Sequence, residues 1–132
     1  LPAMIKAYRI QDKARGVGFD WDDPEQVWDK VMEEMEELRH EVKNGGTPLR
    51  VEEEFGDLLF AMVNYARFID INPENALERT NKRFVKRFEH LEAGVKAEGK
   101  DLRRMNLEEM DAFWRKAKKE TGGLPSSGPD EA

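Results

Sequence analysis

The stretch "VEEEFGDLLFAMVNYA", at residues 51 to 66, decides the fold, because an acidic run passes into an apolar run without a break. Drawn as a helix with about 100° per residue, this stretch is apolar on most sides after Asp57, which is typical of a helix buried on several sides. A hairpin of two helices could not cover such a surface, so we expect a helical bundle completed by dimerisation. The side chains expected to form the buried support are Phe55, Leu58, Leu59 and Met62.

The rest of the sequence predicts further helices and no sheet. Asp23, Pro24 and Gln26 form a helix start, Thr47-Pro48 forms another, and Asn106 starts the last one. We expect an all-α fold of about five helices, at residues 3–15, 24–43, 48–70, 73–99 and 107–117. They would form one domain at residues 1–120. The remaining segment, residues 121–132, is rich in glycine, proline and serine and is predicted to be a disordered tail.

Composition excludes several classes of function. The 132 residues contain no cysteine, which excludes disulfides, zinc-thiolate sites and thiol nucleophiles and fits a reducing compartment. The net charge of -6 gives no attraction to nucleic acid or anionic lipid, and no apolar run approaches the length of a membrane span. We therefore expect a soluble, cytoplasmic protein with no nucleic acid and no membrane as partner.

Two pairs of carboxylates lie at the edges of apolar stripes. On the second helix, Glu34 and Glu37 flank the expected buried stripe, and on the third helix Glu54 and Asp57 share one line. A tight loop joins the two helices, so the pairs could converge. Oxygen ligands of this kind suit a hard cation, Mg²⁺ or Mn²⁺, with positions left for phosphate oxygens. The stripe on the second helix is expected to contain Val27, Val31, Met35, Leu38 and Val42.

Other interpretations of these carboxylates remain open. Acidic pairs are common on exposed helices, and Lys30, Lys43 and Arg50 could neutralise part of the cluster. The segment from Glu37 to His40 also matches the E-x-x-H pattern of di-iron bundles. That pattern needs a second copy, and the third helix has an aspartate where the second histidine should stand.

The sequence resembles the MazG family of nucleoside triphosphate pyrophosphohydrolases, whose signature is E-E-x-x-E followed, after a spacer, by E-x-x-D. Here the two parts are residues 33–37 and 54–57. Further blocks in the family's order are "VGFDW" at 17–21, "NKRFVKRFEHLE" at 81–92 and "LEEMDAFWRKAK" at 107–118. The resemblance implies a dimeric helical enzyme, either a single-domain member or the catalytic C-terminal copy of a tandem protein.

The resemblance also implies roles for individual residues. Mg²⁺ would be bound by four carboxylates, two more would support the site or activate water, and the nucleotide would be bound by six basic or aromatic residues. The implied Mg²⁺ ligands are Glu34, Glu37, Glu54 and Asp57, and the two further carboxylates are Glu33 and Glu53. The implied nucleotide-binding residues are Lys30, Arg50, Arg83, Arg87, Trp114 and Lys118. Taken without the resemblance, Arg83 and Arg87 could be a solvated helix face, and Trp114 could be a core aromatic.

The implied reaction is hydrolysis of a nucleoside triphosphate to the monophosphate and pyrophosphate. Metal ions would neutralise the triphosphate and acidify a bound water, which attacks the α-phosphorus in line. Alternatives are a helical cousin specific for phosphoribosyl-ATP, dUTP or dCTP, or a non-catalytic interaction module. Phe19 and Trp21 are expected to anchor their loop, with a lid over the base as the alternative.

Overall fold

A computed structural model describes residues 2–122, and over these residues the chain is helical and contains no strand. The all-α class with about five helices is therefore confirmed. The predicted tail falls almost wholly outside the described residues. None of the described helices is both long and apolar enough to cross a membrane. The elements in chain order are α1 (Ala3–Gly16), α2 (Pro24–Lys43), α3 (Pro48–Phe68), α4 (Pro73–Ala97), a short 3-10 helix (Leu102–Arg104) and α5 (Leu107–Thr121).

Local capping chemistry sets the helix starts where the sequence predicts them. Asp23 accepts a hydrogen bond from the Gln26 backbone N–H while the Gln26 side chain accepts from the Asp23 backbone, a complete capping box at α2. Thr47 caps α3, and Asn106 caps α5 in the same reciprocal way as at α2. Helix α3 ends at Phe68, two residues before the predicted end at residue 70. The reason is that Asp70 has a φ of 58°, a left-handed conformation that a continuing helix does not allow.

The chain divides into two compact units, residues 1–76 and 77–132. In the first unit, α2 packs on α3 around Val31, Leu58 and Ala61, with Leu38 and Tyr65 partly buried against them. The second unit has its own core of Leu91, Val95 and Ala117. The partly buried side chains around that second core are Leu102, Met105, Phe113 and Trp114.

The buried side of α2 is rotated from the predicted stripe. Met35 and Val42 are exposed, so the prediction was wrong at these two positions. The buried line instead passes through Val27, Val31 and Glu34, which are spaced by four and three residues and therefore share one face. Glu34 is thus buried at the place on α2 where the pattern of hydrophobic residues predicts Met35.

The apolar surface of α3 is only partly covered by the described chain. Leu58 is buried, but Phe55, Leu59 and Met62 remain about half exposed. Within one described chain these three side chains are therefore not the buried support that the sequence predicts. The expectation that a second subunit covers them stays a prediction.

Candidate active site

Three carboxylates from α2 and α3 meet at the edge of the first core. Glu34 comes from α2, and Glu54 and Asp57 lie one turn apart on α3. Each offers an oxygen atom, and these oxygens all lie within 4.8 Å of one another. The sequence spacing at i, i+3 thus brings both α3 carboxylates to the same side, and the packing of α2 on α3 adds the third.

Burial restrains two members of this acidic group, Glu34 and Glu54, whereas Asp57 is exposed. Only 6% of Glu34 is exposed, and Glu54 is partly buried. One oxygen of each, Glu34 Oε1 and Glu54 Oε1, is buried without a hydrogen-bond partner among the described residues. A buried carboxylate oxygen without a partner is costly, and neighbouring like charges add to that cost. Oxygen-only donors of this kind fit a hard divalent cation, which would satisfy both atoms.

Glu37, the fourth predicted ligand, lies beside the group of three. Its side chain is exposed, and its pKa is raised chiefly by the negative charge of Glu34, then by partial loss of water and by the charge of Glu54. A hydrogen bond with Glu54 also contributes to the raised pKa. The carboxyl of Glu37 therefore belongs to the same electrostatic cluster as Glu34 and Glu54.

Two predicted basic residues pair with acidic ones around this cluster. Lys30 Nζ lies 3.0 Å from Glu34 Oε2 and 3.6 Å from Glu33 Oε2. The hydrogen bond to Glu34 is the main reason that the pKa of Lys30 is raised, against the opposing effect of burial. Arg50 donates to Glu41 Oε2 at 3.3 Å, near the loop that joins α2 to α3. Lys30 thus neutralises part of the acidic group, as the alternative interpretation expects. Glu53 is exposed.

Arg87, in the second unit, is buried rather than solvated. Only 8% of it is exposed, and its Nε has no hydrogen-bond partner among the described residues. Its guanidinium lies against Gly122 at the end of α5, where an added Cβ would come within 2.7 Å of Nη2. The last turn of a helix carries unpaired carbonyl groups and partial negative charge, which a guanidinium stabilises. The solvated-face interpretation is wrong for this residue.

The other predicted nucleotide-binding residues of this unit differ in burial. Trp114 packs against the second core, and its ring centroid lies 5.2 Å from that of Phe84. Its core role is therefore observed. Arg83 is partly buried and Lys118 is exposed. Contact of these residues with a nucleotide stays a prediction.

A partly buried ion pair between Asp20 of the "VGFDW" loop and Arg67 of α3 was missed by the sequence reasoning. Arg67 Nη2 donates to Asp20 Oδ1 at 2.8 Å and to Asn64 Oδ1 at 2.8 Å. Burial alone would raise the pKa of Asp20, but hydrogen bonds from Arg67 and from the Trp21 backbone, with the arginine charge, lower it overall. An arginine within the apolar part of α3 was the available signal, since a buried charge requires a partner.

This ion pair changes the interpretation of the "VGFDW" loop. Phe19 is 81% exposed and Trp21 about half exposed, so neither aromatic anchors the loop by burial as expected. Asp20, between them, ties the loop to α3 through Arg67. The aromatic side chains are thereby presented outward from a fixed backbone.

Comparison with known proteins agrees with the resemblance seen in the sequence. Residues 22–92 match the family described as the MazG nucleotide pyrophosphohydrolase domain. The chain is 46% identical, over 118 residues, to the nucleoside triphosphate pyrophosphohydrolase/pyrophosphatase MazG of Thermotoga maritima, covering 89% of this chain and 45% of that protein. It is 40% identical, over 121 residues, to the nucleoside triphosphate pyrophosphohydrolase of Escherichia coli K12, covering 91% of this chain and 46% of that one. The chain spans less than half the length of these two relatives. On the matched domain, which includes α2, α3 and the acidic group, this chain belongs to the MazG nucleotide pyrophosphohydrolase family.

Proposed function

We propose that this chain hydrolyses nucleoside triphosphates to nucleoside monophosphates and pyrophosphate, with Mg²⁺ as its cofactor. The observation that carries the proposal is the acidic group of Glu34, Glu54 and Asp57, in which two buried oxygens have no partner among the described residues. Membership of the MazG family and the printed names of the two relatives support the same reaction.

Each carboxylate of the cluster has a proposed task. Glu34, Glu54 and Asp57 hold the cation, and Glu37 completes the set from its position beside Glu54. A bound Mg²⁺ would supply positive charge to the phosphates and make a coordinated water more acidic. Glu33 and Glu53, both exposed, are the candidates to accept the proton from the attacking water.

Positive side chains are required because the chain is acidic overall and its substrate is a polyanion. Lys30 is bound to the acidic group, and its amine can turn to a phosphate oxygen once a cation takes over the charge of Glu34. Arg83 and Arg87 are the further proposed phosphate contacts. Arg50 is proposed as a second basic residue near the metal site, and Lys118 is proposed to reach the nucleotide. Trp114 is proposed to contact the nucleoside.

The test is product analysis on a panel of nucleoside triphosphates with Mg²⁺ and with a chelator. We expect pyrophosphate and monophosphate in the presence of the metal and no turnover without it. Asp57→Asn and Glu37→Gln should remove most of the activity while the helical content measured by circular dichroism stays unchanged. The controls are Asp29→Asn and Glu36→Gln, exposed positions on α2.

The outcomes separate the competing interpretations. Release of orthophosphate would contradict the cleavage position, and activity that survives chelation would contradict the metal. Full activity of a folded Asp57→Asn variant would contradict the site. A specific cousin for phosphoribosyl-ATP, dUTP or dCTP would show turnover of one substrate only.

We also propose that a second copy of the chain covers the exposed apolar side of α3. The observation in support is the half-exposed surface of Phe55, Leu59 and Met62, since large contiguous apolar patches of this kind mark interfaces. Light scattering should give the mass of a dimer, and Phe55→Glu should give a monomer. A monomeric wild type at working concentration would contradict this proposal.

A further inference from the structure

The two helices that form the acidic group carry their charges at the same spacing. On α2, Lys30 precedes Glu34 by four residues. On α3, Arg50 precedes Glu54 by four residues. Residues four apart lie one above the other on a helix, about 6 Å apart along its axis. Each basic side chain can therefore reach the carboxylate one turn further along its own helix.

The structure uses these two equivalent basic residues differently. Lys30 makes the contact within its own helix, because its Nζ lies 3.0 Å from Glu34 Oε2. Arg50 instead donates from Nη2 to Glu41 Oε2 at 3.3 Å. The ion pairs of the described residues include none between Arg50 and Glu54, and Glu54 Oε1 has no hydrogen-bond partner among them. The contact with Glu41 thus replaces the contact that the spacing on α3 allows.

Glu41 lies where the electrostatics of a helix disfavour a carboxylate. Helix α2 ends at Lys43, so Glu41 belongs to its last turn, where partial negative charge repels a glutamate. The side chain of Glu41 is nevertheless only 20% exposed. The guanidinium of Arg50 offsets both of these costs, so the pair binds the last turn of α2 to the first turn of α3.

The loop between α2 and α3 packs directly on Glu41. The backbone N–H of Gly46 donates to the Glu41 carbonyl at 2.8 Å. A side chain at residue 46 would collide with Glu41 Oε1, so glycine leaves the room that this carboxylate occupies. One oxygen of Glu41 therefore lies against the loop, while the other accepts from Arg50.

We propose that Glu41 is a positioning residue, which holds the Arg50 guanidinium away from Glu54 and so keeps the acidic group open to a cation. The inference rests on the proposed function, because it takes the cation from that site. Without Glu41, Arg50 would pair with Glu54 one turn along α3. The acidic group would then hold a second internal positive charge besides Lys30, and that charge would compete with the cation.

The test is a double-mutant cycle on Mg²⁺ affinity, measured by isothermal titration calorimetry. Glu41→Met removes the contact with Arg50, and the same change is made in an Arg50→Gln background. We expect the loss of Mg²⁺ affinity caused by Glu41→Met to be about two- to fivefold larger when Arg50 is present, the strength of one partly exposed ion pair. The lost charge of Glu41 alone would act equally in both backgrounds. The control is Glu36→Gln, at an exposed position on α2, whose effect should be the same in both backgrounds.

A second variant conserves every charge and decides the proposal if Glu41→Met does not fold. In Gly46→Ala, the added Cβ would displace the Glu41 carboxylate from its place beside Arg50. Mg²⁺ affinity should fall about twofold or more in this variant and stay unchanged when Gly46→Ala is made in the Arg50→Gln background. Circular dichroism checks that the helical content of each variant is that of the wild type.

The outcomes separate this inference from the proposed function. Equal losses of Mg²⁺ affinity in the two backgrounds, or no loss in either, would overturn the role of Glu41 alone. A wild type that binds no Mg²⁺ would overturn the proposed cofactor and this inference together. Mg²⁺ binding without pyrophosphate release from any triphosphate would overturn the proposed reaction, and the cycle would still decide the role of Glu41.

Discussion

Charged side chains of α3 contact charged side chains of a neighbouring segment at two places. The two places differ in whether the charges have the same sign or opposite signs. At the acidic group, Glu54 and Asp57 meet Glu34, so three charges of one sign lie together. At the other place, Arg67 meets Asp20, and the charges are opposite. In the first arrangement, one oxygen of Glu34 and one of Glu54 have no hydrogen-bond partner among the described residues. In the second, Arg67 Nη2 lies 2.8 Å from Asp20 Oδ1, although Arg67 Nε also lacks a partner among those residues.

The difference bears on the proposal that the acidic group is a cation site and that the ion pair is a structural contact. Opposite charges offset each other within the chain, so such a pair needs no added ion for its charge balance. Like charges at the edge of a core repel one another, so a group of this kind would favour a bound cation that neutralises them.

The largest effect is expected when the acidic group loses a ligand. Glu54→Gln should lower Mg²⁺ affinity about 100-fold or more, since even outer partners of a metal site are worth about ten- to 100-fold. Isothermal titration calorimetry measures this directly. The same change removes like-charge repulsion, so the metal-free variant should melt no lower than the metal-free wild type.

The matched control for Glu54→Gln is Glu52→Gln, an exposed glutamate of the same helix. It should leave Mg²⁺ affinity within about twofold of the wild type, because an exposed charge is screened by solvent. Equal affinity losses in the two variants would mean that Mg²⁺ responds to net charge rather than to a defined site.

The second-largest effect is expected from a change at Lys30, whose ammonium group pairs with Glu34 of the acidic group. Lys30→Met removes the ammonium 3.0 Å from buried Glu34 and leaves that carboxylate unpaired. The metal-free protein should lose about 1–3 kcal/mol in free energy of unfolding, the usual cost of a buried group left without its partner. Saturating Mg²⁺ should recover most of this loss, because it replaces the missing positive charge.

Urea denaturation with and without Mg²⁺ measures both quantities. The control is Lys43→Met, at the exposed end of α2, which should change stability by less than about 0.5 kcal/mol. If Mg²⁺ stabilised the wild type and Lys30→Met by the same amount, the ammonium and the cation would not be acting on the same carboxylate.

Local features of the chain could be predicted from sequence, and long-range ones could not. The starts of α2, α3 and α5 follow from caps within four residues, so the sequence alone contains the necessary information. The carboxylate pair of Glu54 and Asp57 follows from one turn of helix. Each of these features depends only on neighbours in the chain.

The rest depends on which helix faces pack together. A wheel drawn from hydrophobicity places Met35 inside, but contact with α3 turns Glu34 inward instead. The pair of Asp20 and Arg67 joins residues 47 positions apart, and a spacing rule cannot detect a contact of that separation. A cavity between α1, the "VGFDW" loop and α3 also depends on long-range packing, since its walls come from three separate segments.

The smallest effect tests the opposite-charge arrangement through pH. The pKa of Asp20 in the folded chain is lowered from its ordinary value of 3.8, so its contribution to stability is fully present above about pH 4 and is lost as pH falls through the lowered pKa. Asp20→Asn should therefore cost about 1–2 kcal/mol at pH 7, and the difference from wild type should shrink below about pH 4. Urea denaturation at several pH values measures that difference, with Asp22→Asn, an exposed neighbour, as the control. A difference that stayed constant down to about pH 2 would show that Asp20 acts through packing rather than through its charge. The attraction between Asp20 and Arg67 would then not contribute to stability, and the comparison of this pair with the acidic group would fail.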